Sequence, residues 1–298
     1  MRAVWSFWSV PFLALKHKMW HKPLHHLLAW GLSLRTASRY YPDTVLITDR
    51  AGKKLLIDRL GLPFVDISTE LERLNKVEPG WWALGKLVAY NLQDVPFVHL
   101  DTDVFLWKPL PRYLAAAPVF AQCPEDFHSI DERYGPREIE KSFARHSLSL
   151  PAEWEWSRSR GGQGFREASC GIVGGTRVEF LRHYSQVAID LVLKPDNAPA
   201  WASFQEKECL NMMVEQFLLA ACVDFHRASD ASAYPGVELR YLFPSFGEAC
   251  NPQSAARAGF THLLGATKTY PAVGRRLEER MRREDPAYFR RCEKIAAA

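Results

Sequence analysis

Phe97-Val98-His99-Leu100-Asp101-Thr102-Asp103-Val104-Phe105-Leu106-Trp107 is the stretch on which the reading of this chain turns. A mostly apolar run delivers two carboxylates one residue apart, then resumes. A strand buried on both faces need not alternate apolar and polar residues. Its carboxyl end opens into the crevice where ligands of open α/β sheets bind. In a strand, residues i and i+2 point to the same side, so Asp101 and Asp103 can face one ion. Paired hard oxygens suit Mg²⁺ or Mn²⁺, ions usually shared with substrate phosphates. The pattern points to an enzyme that handles a diphosphate ester. The plainer alternative is two acids that end a strand and start a turn.

Outward from this stretch, strand-like and helix-like runs alternate. Strands are expected at residues 3–8, 44–48, 64–66, 97–100, 168–173 and 241–244. Helices are expected at residues 23–39, 53–60, 82–92, 177–193 and 204–221. Such alternation is the mark of an α/β fold with a mostly parallel sheet. Residues 124–164 differ: polar, charged and punctuated by Gly135, Pro136, Pro151 and Gly161-Gly162. They read as a partly mobile insertion, because loops this long are usually functional or disordered. The expected division is one domain over residues 1–270, containing that insertion, and a basic helical tail over 271–298.

Bulk properties set further bounds. Of 298 residues, 47% are hydrophobic, ample for a core, and the net charge of +4 is too mild for a dedicated nucleic-acid binder. Six cysteines are scattered without a CxxC pair, which argues against a zinc site or a disulfide scaffold and for reduced thiols in a cytoplasmic protein. The apolar N-terminus is broken by Pro11 and followed by Lys16-His17-Lys18, so a first strand is expected rather than a signal sequence. No run approaches the roughly 18 apolar residues of a membrane span.

A second constellation lies near the C-terminus, in Thr261-His262-Leu263-Leu264-Gly265-Ala266-Thr267-Lys268. Histidine can ligate a transition metal, glycine lets backbone approach a phosphate, and lysine places a point charge on one. The trio carries the reading, since a lone His is more often structural. Trp154 and Trp156 sit in the polar insertion and are acceptor-site candidates as faces for a sugar ring, with core packing as the alternative.

Taken together, Leu100-Asp101-Thr102-Asp103 and the late His262-x-x-Gly265-x-x-Lys268 resemble the nucleotide-sugar glycosyltransferases of the GT-A fold. The likeness is to the glycogenin and lipopolysaccharide galactosyltransferase branch, and to a bacterial group of such proteins. It spans roughly residues 3–270 as architecture, with specificity in the two motifs alone. The resemblance implies a Rossmann-like, mixed and mostly parallel sheet flanked by helices. It implies Mn²⁺ (or Mg²⁺) held by Asp101, Asp103 and His262, with Gly265 and Lys268 gripping the β-phosphate. Thr102, between the two acids, joins the donor site. Trp8, Ser9 and Asp49 fall where such enzymes bind the nucleobase and ribose, and Lys86 where a basic residue contacts the donor.

On the acceptor side the family strand usually reads Asn-x-Gly, whereas this chain has Ser169-Cys170-Gly171. For an acid that faces the sugar or acts as base, the chain offers Glu208 and, separately, Glu215. The implied activity is hexosyl transfer from a nucleoside-diphosphate sugar, UDP by resemblance, to a glycan, lipid-linked or small-molecule hydroxyl. The late motif belongs to a retaining branch. Two rivals remain: a non-catalytic sugar-nucleotide-binding or scaffold protein, and a haloacid-dehalogenase-like phosphatase, whose Asp-x-Asp normally opens the first strand, whereas here it lies a third of the way along the chain. The arginine-rich tail can meet an anionic surface, placing the protein at the inner face of a membrane, or cap the domain as a helix.

Overall fold

The computed structural model describes residues 1–14, 19–127, 135–160, 164–229 and 232–297. Along the chain come β1 (Arg2–Phe7), α1 (Pro23–Ala37), β2 (Thr44–Thr48), β3 (Asp66–Ser68), α2 (Leu84–Asn91), β4 (Phe97–Leu100) and β5 (Val104–Leu106). Next are β6 (Val119–Ala121), β7 (Pro124–Phe127), α3 (Pro136–Arg145), α4 (Ala152–Arg160), β8 (Phe165–Ala168) and β9 (Ile172–Gly175). The chain ends with α5 (Val178–Leu193), α6 (Leu218–Ala228), β10 (Leu239–Tyr241), β11 (Phe260–His262), α7 (Pro271–Glu284) and α8 (Pro286–Ala296). This is the expected mixed α/β fold, with a mostly parallel central sheet flanked by helices. The chain forms two compact units, residues 1–79, 98–110 and 252–298, and residues 80–97 and 111–251.

In the first unit the strand order is β4-β1-β2-β3. β1 pairs in parallel with β2, from Ala3 opposite Thr44 to Phe7 opposite Thr48, and β2 in parallel with β3. Every residue of β2 and β4 is buried, as expected of strands covered on both faces. The third strand lies two residues later than expected. α1 opens on Pro23, whose fixed φ suits a first helical turn, and buries most of its circumference. Both C-terminal helices pack on it. Tyr288 donates to the Leu27 carbonyl at 2.6 Å, and a Cβ at Gly31 would lie 2.3 Å from the Tyr288 ring. Glu278 bonds His25 at 2.8 Å, Asp285 pairs with Arg35, and Arg280 covers the Trp107 ring at 4.1 Å. These contacts make α7 and α8 part of this unit's core. No helix among the described residues is long and apolar enough to cross a membrane.

In the second unit the order is β10-β6-β9, with β10–β6 parallel and β6–β9 antiparallel. The described residues of the polar insertion carry secondary structure: its ends pair as the antiparallel ribbon β7–β8, and α3 and α4 lie between them. Ile139 and Phe143, four residues apart on α3, and Trp154 on α4 form a buried face in an otherwise charged segment. Residues 128–134 and 161–163 of the insertion, including Gly161-Gly162, lie outside the described residues. The helix expected over 204–221 starts later and runs on further: a 3₁₀ turn (Glu208–Leu210) leads through a π-helical turn (Met213–Phe217) into α6. Asn211, helical within this run, donates to the Gly80 carbonyl at 2.7 Å and accepts from Ala83 N at 2.9 Å.

Glu167 in β8 is 1% exposed, and burial with the neighbouring Glu125 and Glu215 charges pushes its carboxyl up to about 8. The folded state therefore holds this proton between the unfolded value of 4.5 and about 8, while the unfolded chain releases it. Stability from this group is intact below pH 4.5 and falls as pH rises through 8, by on the order of 5 kcal/mol. Glu167→Gln should flatten that fall in denaturant melts from pH 5 to 9. A wild-type slope unchanged by the substitution would remove Glu167 as its source.

Candidate functional site

Asp101 and Asp103 flank a turn rather than continue a strand. β4 stops at Leu100, the Asp101 carbonyl accepts from Val104 N at 3.0 Å, and β5 begins at Val104. The carboxylates therefore converge through the turn, not through strand alternation. β5 then pairs antiparallel with β11, Val104 opposite His262, and Leu263 N donates to the Asp103 carbonyl at 3.1 Å. This register carries the late motif to the acids. One ligand atom each from Asp101, Asp103 and His262 lies within 4.8 Å of the others.

Asp103 is the centre of the cluster. Its side chain is 4% exposed, with Oδ1 3.5 Å from His262 Nε2 and Oδ2 2.6 Å from Lys268 Nζ. Burial works to raise its carboxyl, but the Lys268 and His262 charges and their hydrogen bonds hold it well below the usual carboxylate range. Asp103 is thus an anion at any physiological pH. Asp101 is about a quarter exposed, and the buried His99 ring lies 4.0 Å away while its Nε2 bonds Ser6 Oγ at 3.0 Å. Gly265 adopts φ +51° where the chain turns from β11 into the 3₁₀ turn Gly265–Thr269 that presents Lys268. A left-handed φ suits glycine there. Beside Lys268, a small cavity is lined by Phe12, Trp20, His26 and Thr102. His26 stacks on Phe12 and accepts from Trp30 Nε1 at 3.2 Å; burial and the Lys268 charge depress it to about 3, so it is neutral.

Two carboxylates, one of them about a quarter exposed, and an imidazole form a donor set that could hold a divalent metal ion. The Lys268 ammonium adds positive charge at the same carboxylate.

Other expected site residues have different placements. Ser9 N and Oγ both donate to Asp49 Oδ2 at 2.8 Å, and Asp49 Oδ1 accepts from Gly52 N at 2.6 Å. Asp49 thus caps the turn after β2 and ties it to the end of β1; Trp8 beside it is buried. In the second unit, Lys86 Nζ lies 2.8 Å from Glu215 Oε1 and donates to the Cys170 carbonyl at 3.0 Å. Tyr90 donates to the same Glu215 oxygen at 2.8 Å, and Tyr184 to the Glu215 carbonyl at 2.6 Å. Glu215, fully buried and paired, is therefore held as a structural anion rather than as a free base. Ser169 and Gly171 are buried between β8 and β9, where Ser169 exchanges backbone bonds with Gln122 and Cys123. Glu208 is exposed on its 3₁₀ turn. Trp154 corrects an expectation: it is 0% exposed, edge-on to Phe217, with Nε1 donating to Glu140, and offers no face to a sugar. Trp156 packs edge-on to Phe225 beneath the Arg160 guanidinium.

Sequence reading missed His99 and His26. Nothing in the sequence marks His99 as lying near an acid two residues on, or His26, beside His25, as lying near a lysine over two hundred residues away.

The sequence matches the family model DUF6734, described as a family of unknown function, over residues 1–295. No curated protein matches. Among solved structures, the galactosyltransferase LgtC, crystallised with donor and acceptor sugar analogs, superposes with a TM-score of 0.40 at 12% identity, covering 94% of each chain. A likeness this distant assigns no chemistry.

Proposed function

We propose that this chain, which belongs to the DUF6734 family, is a metal-dependent glycosyltransferase of the GT-A kind that moves a hexosyl group from a nucleoside-diphosphate sugar to an acceptor hydroxyl. The observation that carries this reading is the buried Asp103 carboxylate, gripped by Lys268 and His262 with Asp101 within ligand reach. Two acids alone are common; two acids joined by strand register to an imidazole and an ammonium form a place for a diphosphate and its cation. Mn²⁺ (or Mg²⁺), held by Asp101, Asp103 and His262, would supply Lewis-acid neutralisation of the leaving diphosphate.

The chain's own residues do the rest. Lys268 sets a fixed positive charge against the leaving phosphate oxygens. Gly265 keeps the backbone before Lys268 free of a side chain, so a phosphate can approach closely. Asp103 holds Lys268 in place before the donor arrives, so little reorganisation is needed during reaction. As the glycosidic bond to phosphate breaks, the leaving oxygen becomes the nearest strong base and takes the acceptor hydroxyl's proton. Retention needs no side-chain base, and the commitment of Glu215 to Lys86 supports that course. By the resemblance of its motifs the donor is a UDP-sugar, and the acceptor a glycan, lipid-linked or small-molecule hydroxyl.

Release of nucleoside diphosphate from a panel of UDP-, GDP- and CDP-sugars, with Mn²⁺ or with chelator, tests the reading. One donor should be turned over in Mn²⁺ and not in chelator. Equal or absent release under both conditions with every donor, in folded protein, would contradict it.

A further inference from the structure

Glu153 on α4, His183 on α5 and His226 on α6 bring one ligand atom each to a single point of the second unit. His183 Nε2 is 2.9 Å from Glu153 Oε1, His226 Nε2 is 3.7 Å from the same oxygen, and the two imidazole nitrogens are 3.2 Å apart. We infer that these three side chains form a second metal site, sharing no residue with the Asp101–Asp103–His262 cluster, and that its occupant is Zn²⁺.

Two of the three edges have hydrogen-bond lengths, and all three together also fit the ligands of one ion. Ligands about 2.0–2.1 Å from a tetrahedral zinc are separated by roughly 3.3 Å, close to the three edges here. The edges define a circle of radius about 1.9 Å, so a point about 2.1 Å from all three atoms lies just off their plane. Without an ion, both Nε2 atoms face each other and one carboxylate oxygen. At most one of the three edges is then shortened by each available proton, and two protonated nitrogens would repel.

The surroundings supply what metal ligands need. His226 Nδ1 bonds Ser232 Oγ at 2.9 Å, an outer-shell bond that orients the ring and directs Nε2 at the shared point. Phe180, Phe225 and Tyr234 wall the imidazoles with aromatic edges. Glu153 and His226 are each 9% exposed, whereas His183 is 28% exposed, leaving a path for entry and a fourth position for water. Two imidazoles and one carboxylate suit a borderline cation of the zinc type over Mg²⁺ or Ca²⁺. Since the ligands come from three helices, the ion cross-links α4, within the polar insertion, to α5 and α6.

The test uses full-length protein stripped with chelator, in the Asp101→Asn/Asp103→Asn background so that the other cluster cannot report. Cobalt(II) is the visible probe and Zn²⁺ the competitor. One equivalent of cobalt should bind with visible d–d absorption and be displaced by Zn²⁺. At free Zn²⁺ about a hundredfold above Kd, the melting midpoint should rise by about 5 °C. Adding His183→Gln/His226→Gln should abolish both signals. X-ray absorption of the zinc-loaded background protein, which keeps all three ligands, should show two imidazoles around the metal. No cobalt absorption and no shift, binding unaltered by the histidine substitutions, or a metal without imidazole ligands would each overturn the assignment.

Discussion

Asp103→Asn should lower donor turnover by about 10²–10³-fold, the range for removing one preorganised electrostatic group. The amide keeps the side chain's volume but removes the charge that Lys268 approaches at 2.6 Å and His262 at 3.5 Å. It would also leave the Lys268 ammonium, 16% exposed, with a weaker partner, so a stability loss should accompany the loss of rate. Asp101→Asn separates the two effects. That carboxylate is about a quarter exposed, so its replacement should depress metal-dependent turnover while the melting midpoint barely moves. Steady-state assays and thermal melts on both variants give the comparison. Full turnover in either variant, at saturating metal, would remove that acid from the reaction.

Breaking the Lys86–Glu215 pair should cost more stability than any exposed substitution in the chain. Glu215 is fully buried, and the Lys86 ammonium, 10% exposed, is 2.8 Å away. Removing one partner strands the other's charge in a low-dielectric interior, a loss of about 3–5 kcal/mol. Lys86→Met leaves the Glu215 anion with the Tyr90 hydroxyl, and Glu215→Gln leaves the Lys86 cation with the Cys170 carbonyl. The Lys86→Met/Glu215→Gln double variant should lose markedly less than the sum of the singles, since neither charge is stranded. Urea denaturation of the four proteins measures the coupling. Additive losses would show that the two groups do not act as a pair.

The α/β class and the strands β1 to β4 were legible because buried strands are written as short apolar runs; β5, β6, β7 and β11 were not, and the strand expected at 168–173 is broken at residues 169–171 between β8 and β9. β2 and β4 came through almost to the residue. The two motifs were legible as motifs, yet what joins them was not. Their meeting depends on the antiparallel register of β5 and β11, set between three-residue strands that no periodicity test resolves. Likewise Lys86 and Glu215 each stood out alone, and only the fold makes them one pair. Trp154 was misjudged because a polar segment can still bury a face when a few apolar residues fall at helical spacing. The Glu153–His183–His226 cluster left no trace in the sequence: its members lie 30 and 43 residues apart on three separate helices.

The most direct test of the central claim is a thermal-shift titration with UDP, GDP and CDP, each with and without Mn²⁺, on the wild type and on Asp101→Asn/Asp103→Asn. A nucleotide bound to the folded state alone raises the melting midpoint by mass action. The expected result is a shift with one nucleotide, UDP, that requires Mn²⁺ and is lost in the variant. A folded wild-type protein that shifts with none of the three, or shifts equally in the variant, would contradict it.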